Sequence, residues 1–204
     1  MNIHSLTFII IEYSFNNEVK MSIFPVLTKD SVSTDSSKHL QQTLSKFGFI
    51  PNLLGVMANS STAIDAYLSI SNIFSKSSFS ATEQQIILLT VSYYHNCNYC
   101  MAAHSAISDM QDVDSSVVYA IRNNQPIVDE KLESLRNLTW QLVDKRGWIN
   151  ENDLQNFLNS GYEPNQVLEI LVGISQKILS NFTNHLANTP LDENFSNYIW
   201  ASDQ

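Results

Sequence analysis

The sequence predicts an all-α fold, a bundle of packed helices, and three observations carry that reading. Punctuation is sparse: five glycines and five prolines stand in 204 residues, too few for the closely spaced turns of a sheet protein. Apolar residues recur at three- and four-residue spacing along most of the chain. Ser80-Ala81-Thr82-Glu83 has the form of a capping box, with serine at the cap and glutamate three residues on.

The elements follow in order. Residues 36–47 put Leu40, Leu44 and Phe47 on one side, stop at Gly48, and Pro51 resets the chain. Residues 52–58 make a short apolar helix, and 61–74 a longer one with Ile64, Tyr67 and Leu68 at helical spacing. From the capping box a helix runs to about His95. It is apolar almost all round (Ile86, Ile87, Leu88, Leu89, Val91, Tyr93, Tyr94), which predicts a central, buried position. A second helix starts near Cys97 and ends near Asp109. Further helices are predicted at 114–123, 130–146, 151–159, 164–186 and 191–202, with Gly147 and Gly161 as stops. Trp140, Trp148 and Trp200 read as core or interface anchors.

Bulk composition narrows the partners. The chain suits one domain, 21–204, preceded by an extension at 1–20 that the core does not need; Met21-Ser22-Ile23-Phe24-Pro25 reads as a more ordinary start. A net charge of −9 and no basic cluster argue against duplex nucleic acid and against an anionic membrane surface. No apolar run reaches membrane-spanning length. Leu6 to Ile11 lacks the basic flank and small-residue cleavage pattern of a secretory signal, so a cytoplasmic location is expected. Only 15% of residues are charged against 44% hydrophobic, which predicts surface buried between subunits of a homo-oligomer.

Both cysteines fall in Asn96-Cys97-Asn98-Tyr99-Cys100-Met101-Ala102-Ala103-His104. On a helix, spacings of three and seven bring 97, 100 and 104 to one face. Two thiols and an imidazole therefore converge, the parts of a redox-active dithiol with a proton carrier. At a helix start the dipole and free N–H groups favour thiolate, and this consideration alone points to Cys97. Two other readings stand beside it. The thiols can be buried structural cysteines. A zinc site can be built from Cys97, Cys100 and His104 with His95, His39 or His185, although the second ligand pair of a structural site is missing. Met101 after Cys100 excludes the usual covalent haem attachment, and no βαβ pattern supports a thioredoxin-like fold.

The stretch from Ser80 through Ser92, followed by Cys97-Asn98-Tyr99-Cys100 and His104, resembles the carboxymuconolactone decarboxylase superfamily, in its alkyl hydroperoxidase D (AhpD)-like, peroxidase-related branch. Gly48-Phe49-Ile50-Pro51-Asn52-Leu53, Asn181-Phe182-Thr183-Asn184-His185 and Thr189-Pro190-Leu191-Asp192 are similar to it as well. The resemblance runs from about Met21 to Ala201. It implies an AhpD-like helical bundle assembled as a trimer, hexamer or related homo-oligomer. It also implies an oxidoreductase of antioxidant defence that reduces alkyl hydroperoxides. In that scheme Cys100 is the peroxidatic thiolate, Cys97 resolves it, and His104 belongs to a proton relay. No metal or organic cofactor is expected, only an external dithiol reductant, for which the resemblance implies a lipoyl type.

The relay carboxylate is where this chain departs. The family places a glutamate twelve residues before the first cysteine, and here that residue is Gln85. An amide orients a water but takes no proton at neutral pH. Glu83 is the nearest acid, but two residues of helix turn it about 200° away and the capping box accounts for it; His95 is a further relay candidate. The substitution supports a rival reading, a non-catalytic oligomeric redox sensor or vestigial dithiol protein. A lactone-processing enzyme is a third, and that branch does not rely on a Cys-x-x-Cys pair.

Overall fold

Nine α-helices and one 3₁₀ turn make up the regular structure of residues 23–201, the part of the chain described by this computed structural model. The helices are α1 (Thr34–Phe47), α2 (Asn52–Met57), α3 (Ser61–Phe74), α4 (Ala81–Tyr94), α5 (Asn98–Met110), α6 (Ser115–Arg122), α7 (Glu130–Asp144), α8 (Glu151–Asn159) and α9 (Pro164–Ala187). No strand occurs among the described residues. The expected extension 1–20 lies outside them.

The stops sit where expected, and for the expected reason. Gly48, Gly147 and Gly161 carry φ of 78°, 84° and 95°, the left-handed region that glycine enters without a Cβ penalty. The capping box at Ser80 is complete: Ser80 Oγ accepts from the Glu83 N–H, and Glu83 Oε2 accepts from the Ser80 N–H at 2.8 Å. The helix expected over 191–202 is instead a short 3₁₀ turn, Glu193–Tyr198. Leu191, Phe195 and Tyr198 have helical spacing, but the Asp192 carboxylate accepts from the Asn52 N–H at 3.0 Å and from the Tyr99 hydroxyl at 2.6 Å. Arg122 holds the carbonyls of Tyr198 and Ile199. These long-range anchors fix the segment in place of helical hydrogen bonds.

Helix α4 is the central post. It packs on α5, α6, α7 and α9, and residues Gln85 through Ser92 are all buried. Two apolar cores flank it. One, with Ile86, Ile87, Leu89, Leu135, Leu138, Phe157 and Ile170, lies toward α6, α7 and α8. The other, with Leu40, Leu53, Leu54, Ile64 and Phe195, lies among α1, α2, α3, α5 and the 3₁₀ turn, and it contains both cysteines. Gly173 on α9 permits close approach: a Cβ there would stand 2.8 Å from Ile87 Cγ2 and 2.9 Å from the Phe74 ring. Of the three tryptophans, Trp200 enters the first core and Trp140 packs edge-on against Tyr94 and tilted against Tyr93. Trp148 is instead 87% exposed beside the Gly147 turn.

The polarity of α9 is inverted. Its buried residues include Gln176, Lys177, Ser180, Asn181 and Asn184, while Leu168, Leu171, Ile178, Phe182 and Leu186 are exposed. A helix normally turns its apolar stripe inward. Here Ile170 and Ile174 turn inward in the first half, but from Gln176 to Asn184 the inward stripe is polar, and it faces the cysteines.

Candidate active site

Cys97 is the N-cap of α5, with extended backbone (φ −91°, ψ 92°), and Cys100 sits in the first turn. The turn before it is tightened by Asn96 at φ 59° and by the Cys97 N–H donating to Ser92 O at 3.0 Å. The two cysteines approach to about 3.3 Å as free thiols. That exceeds the roughly 2.05 Å of a disulfide bond and leaves only a small rotation between the two states. Both residues are nearly inaccessible, 1% and 2% exposed.

Three residues of α9, at spacings of three and four, complete the surroundings of Cys100. Asn184 Nδ2 donates to Cys100 Sγ at 3.2 Å and lies 3.9 Å from Cys97 Sγ. Ser180 Oγ lies 3.8 Å from Cys100 Sγ. Lys177, 1% exposed and one turn before Ser180 on the same face of α9, lines the same cavity as Cys100, and its charge favours the thiolate. Burial opposes ionisation of Cys100, but the Cys97 S–H, the Lys177 charge and the Ser180 hydroxyl together outweigh it and hold the thiol below its ordinary range. Cys97 goes the other way: its hydrogen bond to Cys100 and its burial push it up. Helix position alone favoured Cys97 as the thiolate. The stabilising groups gather on Cys100 instead: the Cys97 S–H first and then the Lys177 charge, which together outweigh the partial charge of a helix end.

His104 lies one turn further along α5, buried, with Nδ1 at 3.0 Å from Gln85 Oε1. Gln85 Nε2 donates to Gln111 Oε1 at 3.0 Å. With its amide thus oriented, Gln85 accepts from Nδ1–H, which leaves Nε2 as the basic ring atom. Burial, with the nearby Lys177 charge, holds His104 well below its usual value, so the ring is neutral. Cys100 and His104 both line a cavity of about 510 Å³, whose wall mixes polar side chains, Tyr67, Tyr99, Gln176 and Lys177 among them, with apolar ones such as Pro51, Leu53, Leu54, Leu68 and Phe195. A cleft of about 590 Å³ beside α7 and α8 has no thiol or histidine in its lining and is separate.

Cys97, Cys100, His104 and Gln85 are therefore brought together, and Glu83 and His95 are not. Glu83 is held at the far end of α4 by the Ser80 N–H and hydroxyl, and it does not line the cavity. His95 caps the other end of α4, its ring against Tyr94 and Phe182; burial, then the His185 and Lys177 charges, lower its basicity. The zinc ligand set is not assembled: His39 faces Asp65 at 3.6 Å, His185 is exposed, and among the described residues no three His, Cys, Asp or Glu are grouped to hold a metal ion. Lys177, Ser180, Asn184 and Tyr67 are site residues that the sequence reading did not single out. For the three on α9 the signal was the run of polar residues at 176, 177, 180, 181 and 184, one face of a helix.

Comparison with known proteins places this architecture. No family model matches the chain, and no curated protein matches it. Solved structures do. The alkylhydroperoxidase AhpD core of an uncharacterized peroxidase-related protein from Ralstonia eutropha superposes with a TM-score of 0.77 over 86% of this chain and 94% of that one, at 17% identity. The chain has the AhpD-like fold. An uncharacterized peroxidase-related protein from a Silicibacter species shares the AhpD-like fold at a TM-score of 0.73, 18% identity, 87% of this chain and 97% of that one. The debrominase Bmp8, as a variant in complex with 2,3,4-tribromopyrrole, does so at 0.72, 13% identity, 87% and 95%. No helix of the described residues is long and apolar enough to cross a membrane.

Proposed function

We propose that this chain is a thiol-dependent hydroperoxide reductase, a cytoplasmic homo-oligomeric enzyme of antioxidant defence. The observation that supports the reading best is Cys100, its sulfur beside Cys97 and accepting from Asn184 Nδ2, in the lining of a cavity that mixes apolar side chains such as Leu53, Leu54 and Phe195 with polar ones such as Tyr67, Gln176 and Lys177. A cavity of about 510 Å³ admits an organic hydroperoxide of moderate size. The Cys100 thiolate attacks the terminal peroxide oxygen, the O–O bond breaks, and the alkoxide leaves as alcohol after taking one proton. The resulting sulfenic acid condenses with Cys97, expelling water and forming the disulfide. A dithiol donor, for which the family resemblance suggests a lipoyl type, restores both thiols. The sum is ROOH plus dithiol giving ROH, water and disulfide.

The test is peroxide consumption with several dithiol donors and with alkyl hydroperoxide and hydrogen peroxide in parallel. Cys100→Ser is expected to abolish turnover, and Cys97→Ser to stop after the first oxidation, with a sulfenic acid trapped by dimedone. Retained turnover in Cys100→Ser refutes the reading. Gln85 favours a second reading, the redox sensor, because an amide stands where the family has its carboxylate. A reversible Cys97–Cys100 disulfide with no turnover of any peroxide selects it. The debrominase neighbour motivates one more arm of the assay. Ring bromide plus dithiol balances to ring hydrogen, bromide ion, a proton and disulfide, so release of bromide from 2,3,4-tribromopyrrole without peroxide turnover would replace the reductase reading.

A further inference from the structure

We infer that Lys177 is the proton reservoir of the dithiol: its ammonium pairs with the Cys100 thiolate in the reduced protein and passes its proton to the alkoxide that departs as the sulfenic acid forms. The inference rests on the reductase reading for the identity of the proton acceptor, and on geometry for the rest. Lys177 is 1% exposed, and no carboxylate among the described residues pairs with it. An unpaired charge at such a depth is costly, several kcal/mol by order of magnitude. The Cys100 sulfur, held by Ser180 and Asn184 on the same face of α9 and lining the same cavity as Lys177, is the group beside it that carries the opposite charge.

The surroundings leave few other donors. Helix α5 contributes Cys100, His104 and Tyr99, whose hydroxyl proton is committed to Asp192, and the turn before it contributes Cys97 and, further off, His95. Helix α3 contributes Tyr67, whose hydroxyl engages Gln176, and Asp65 near the mouth. Helix α1 contributes His39 and Lys46, also near the mouth, and α2, α4 and α7 add no titratable group to the lining. The position of the family's carboxylate is an amide, and His104 is neutral with Nδ1–H committed to that amide.

Charge balance then dictates the coupling. In the reduced site S⁻ and NH₃⁺ sum to zero. Oxidation consumes the thiolate and would strand the ammonium. Release of its proton to the alkoxide keeps the sum at zero, as neutral amine beside disulfide. Re-reduction by a dithiol donor returns one proton to Cys97 and one to Lys177. The buried site never carries net charge, and oxidation releases two protons although only one thiol is protonated beforehand.

That count is measurable without any variant. The protein is equilibrated with reduced and oxidised glutathione at pH between about 6 and 7.5, where glutathione is protonated. Iodoacetamide reactivity of Cys100 over the same range establishes that the thiolate is present. If Lys177 releases its proton, two protons leave the protein and two are taken up by glutathione, so the equilibrium constant is independent of pH. If Lys177 keeps its proton, the disulfide form loses tenfold per unit rise in pH, and the inference falls. It also falls if Cys100 shows no thiolate in this range. Lys177→Arg keeps the charge but holds its proton at any working pH. It should retain the rapid alkylation, acquire the tenfold slope, and lose about 10²-fold or more in peroxide turnover. Lys177→Met should lose the thiolate itself, seen as at least tenfold slower alkylation at pH about 6. A pH-independent equilibrium in a protein that turns over no peroxide leaves the proton coupling standing and removes the reductase reading; turnover with a tenfold slope does the reverse.

Discussion

Cys97→Ala isolates what the second thiol does for the first. The S–H of Cys97 is the leading group that favours the Cys100 thiolate, ahead of Lys177 and Ser180. A hydrogen bond to a charged group contributes about 1.5–3 kcal/mol, and one pH unit corresponds to about 1.36 kcal/mol. Removing it should therefore raise the ionisation midpoint of Cys100 by about 1–2 units. The Lys177 charge and the hydrogen bond from Asn184 remain, so a thiolate still forms near neutrality. The assay is the rate of iodoacetamide alkylation against pH. The variant has a single cysteine, since the chain holds two, so intact mass reads Cys100 alone. Below both midpoints the variant should react about 10–100-fold more slowly than the parent; well above both, the rates should coincide. Cys97→Ser keeps an O–H donor and should shift less. A Cys97→Ala midpoint unmoved or lowered would show that Cys97 does not donate to Cys100, and the division of labour between the thiols would have to be redrawn.

Further expectations follow from single features. His104 is buried and neutral, its basicity lowered from the usual value, so the unfolded chain binds a proton that the native one refuses as pH falls below about 6.5. Its contribution is present above that value and is lost progressively as pH falls below it; His104→Gln should flatten this part of a denaturant-derived stability profile, and an unchanged slope would contradict the burial account. Gly173→Ala drives a methyl into Ile87 and the Phe74 ring, and should cost about 1–2 kcal/mol in urea unfolding despite the better helix propensity of alanine; a stabilised variant would show that α9 has room to spare. Phe182→Glu with Leu186→Glu tests the exposed apolar face of α9 as the contact between copies. Sedimentation should show dissociation to monomer, and a parent that is already monomeric at micromolar concentration would remove the homo-oligomer.

Most of the helical frame was legible because its signals are local. Ser61–Phe74 and Glu151–Asn159 have the bounds expected, and Ser80 with Glu83 marked the start of α4 through two hydrogen bonds within one turn. The pairing of Cys97, Cys100 and His104 was equally local, spanning eight residues. What the sequence hid is long-range. Asn184 and Ser180 reach Cys100 across 84 and 80 residues, and nothing in the local pattern of α9 states which face turns inward. The usual rule would bury Leu171, Ile178 and Phe182, and it would leave Lys177 in water. The 3₁₀ turn at Glu193–Tyr198 was misjudged for the same reason, since its anchors are Asn52, Tyr99 and Arg122.

One of those anchors bears on how the chain matures. Tyr99, the residue immediately before Cys100, donates its hydroxyl to Asp192 across 93 residues and accepts from the Leu53 N–H at 3.2 Å. The first turn of α5 is thus clasped by the opening of α2 and by a segment synthesised almost a hundred residues later. Closing so long a loop carries an entropic cost that only the late contacts repay. A growing or refolding chain therefore holds α5 before it holds the seat of Tyr99. Until Asp192 arrives, the thiols stand open to oxidants, and pulsed thiol labelling during refolding would time the closure of the whole chain.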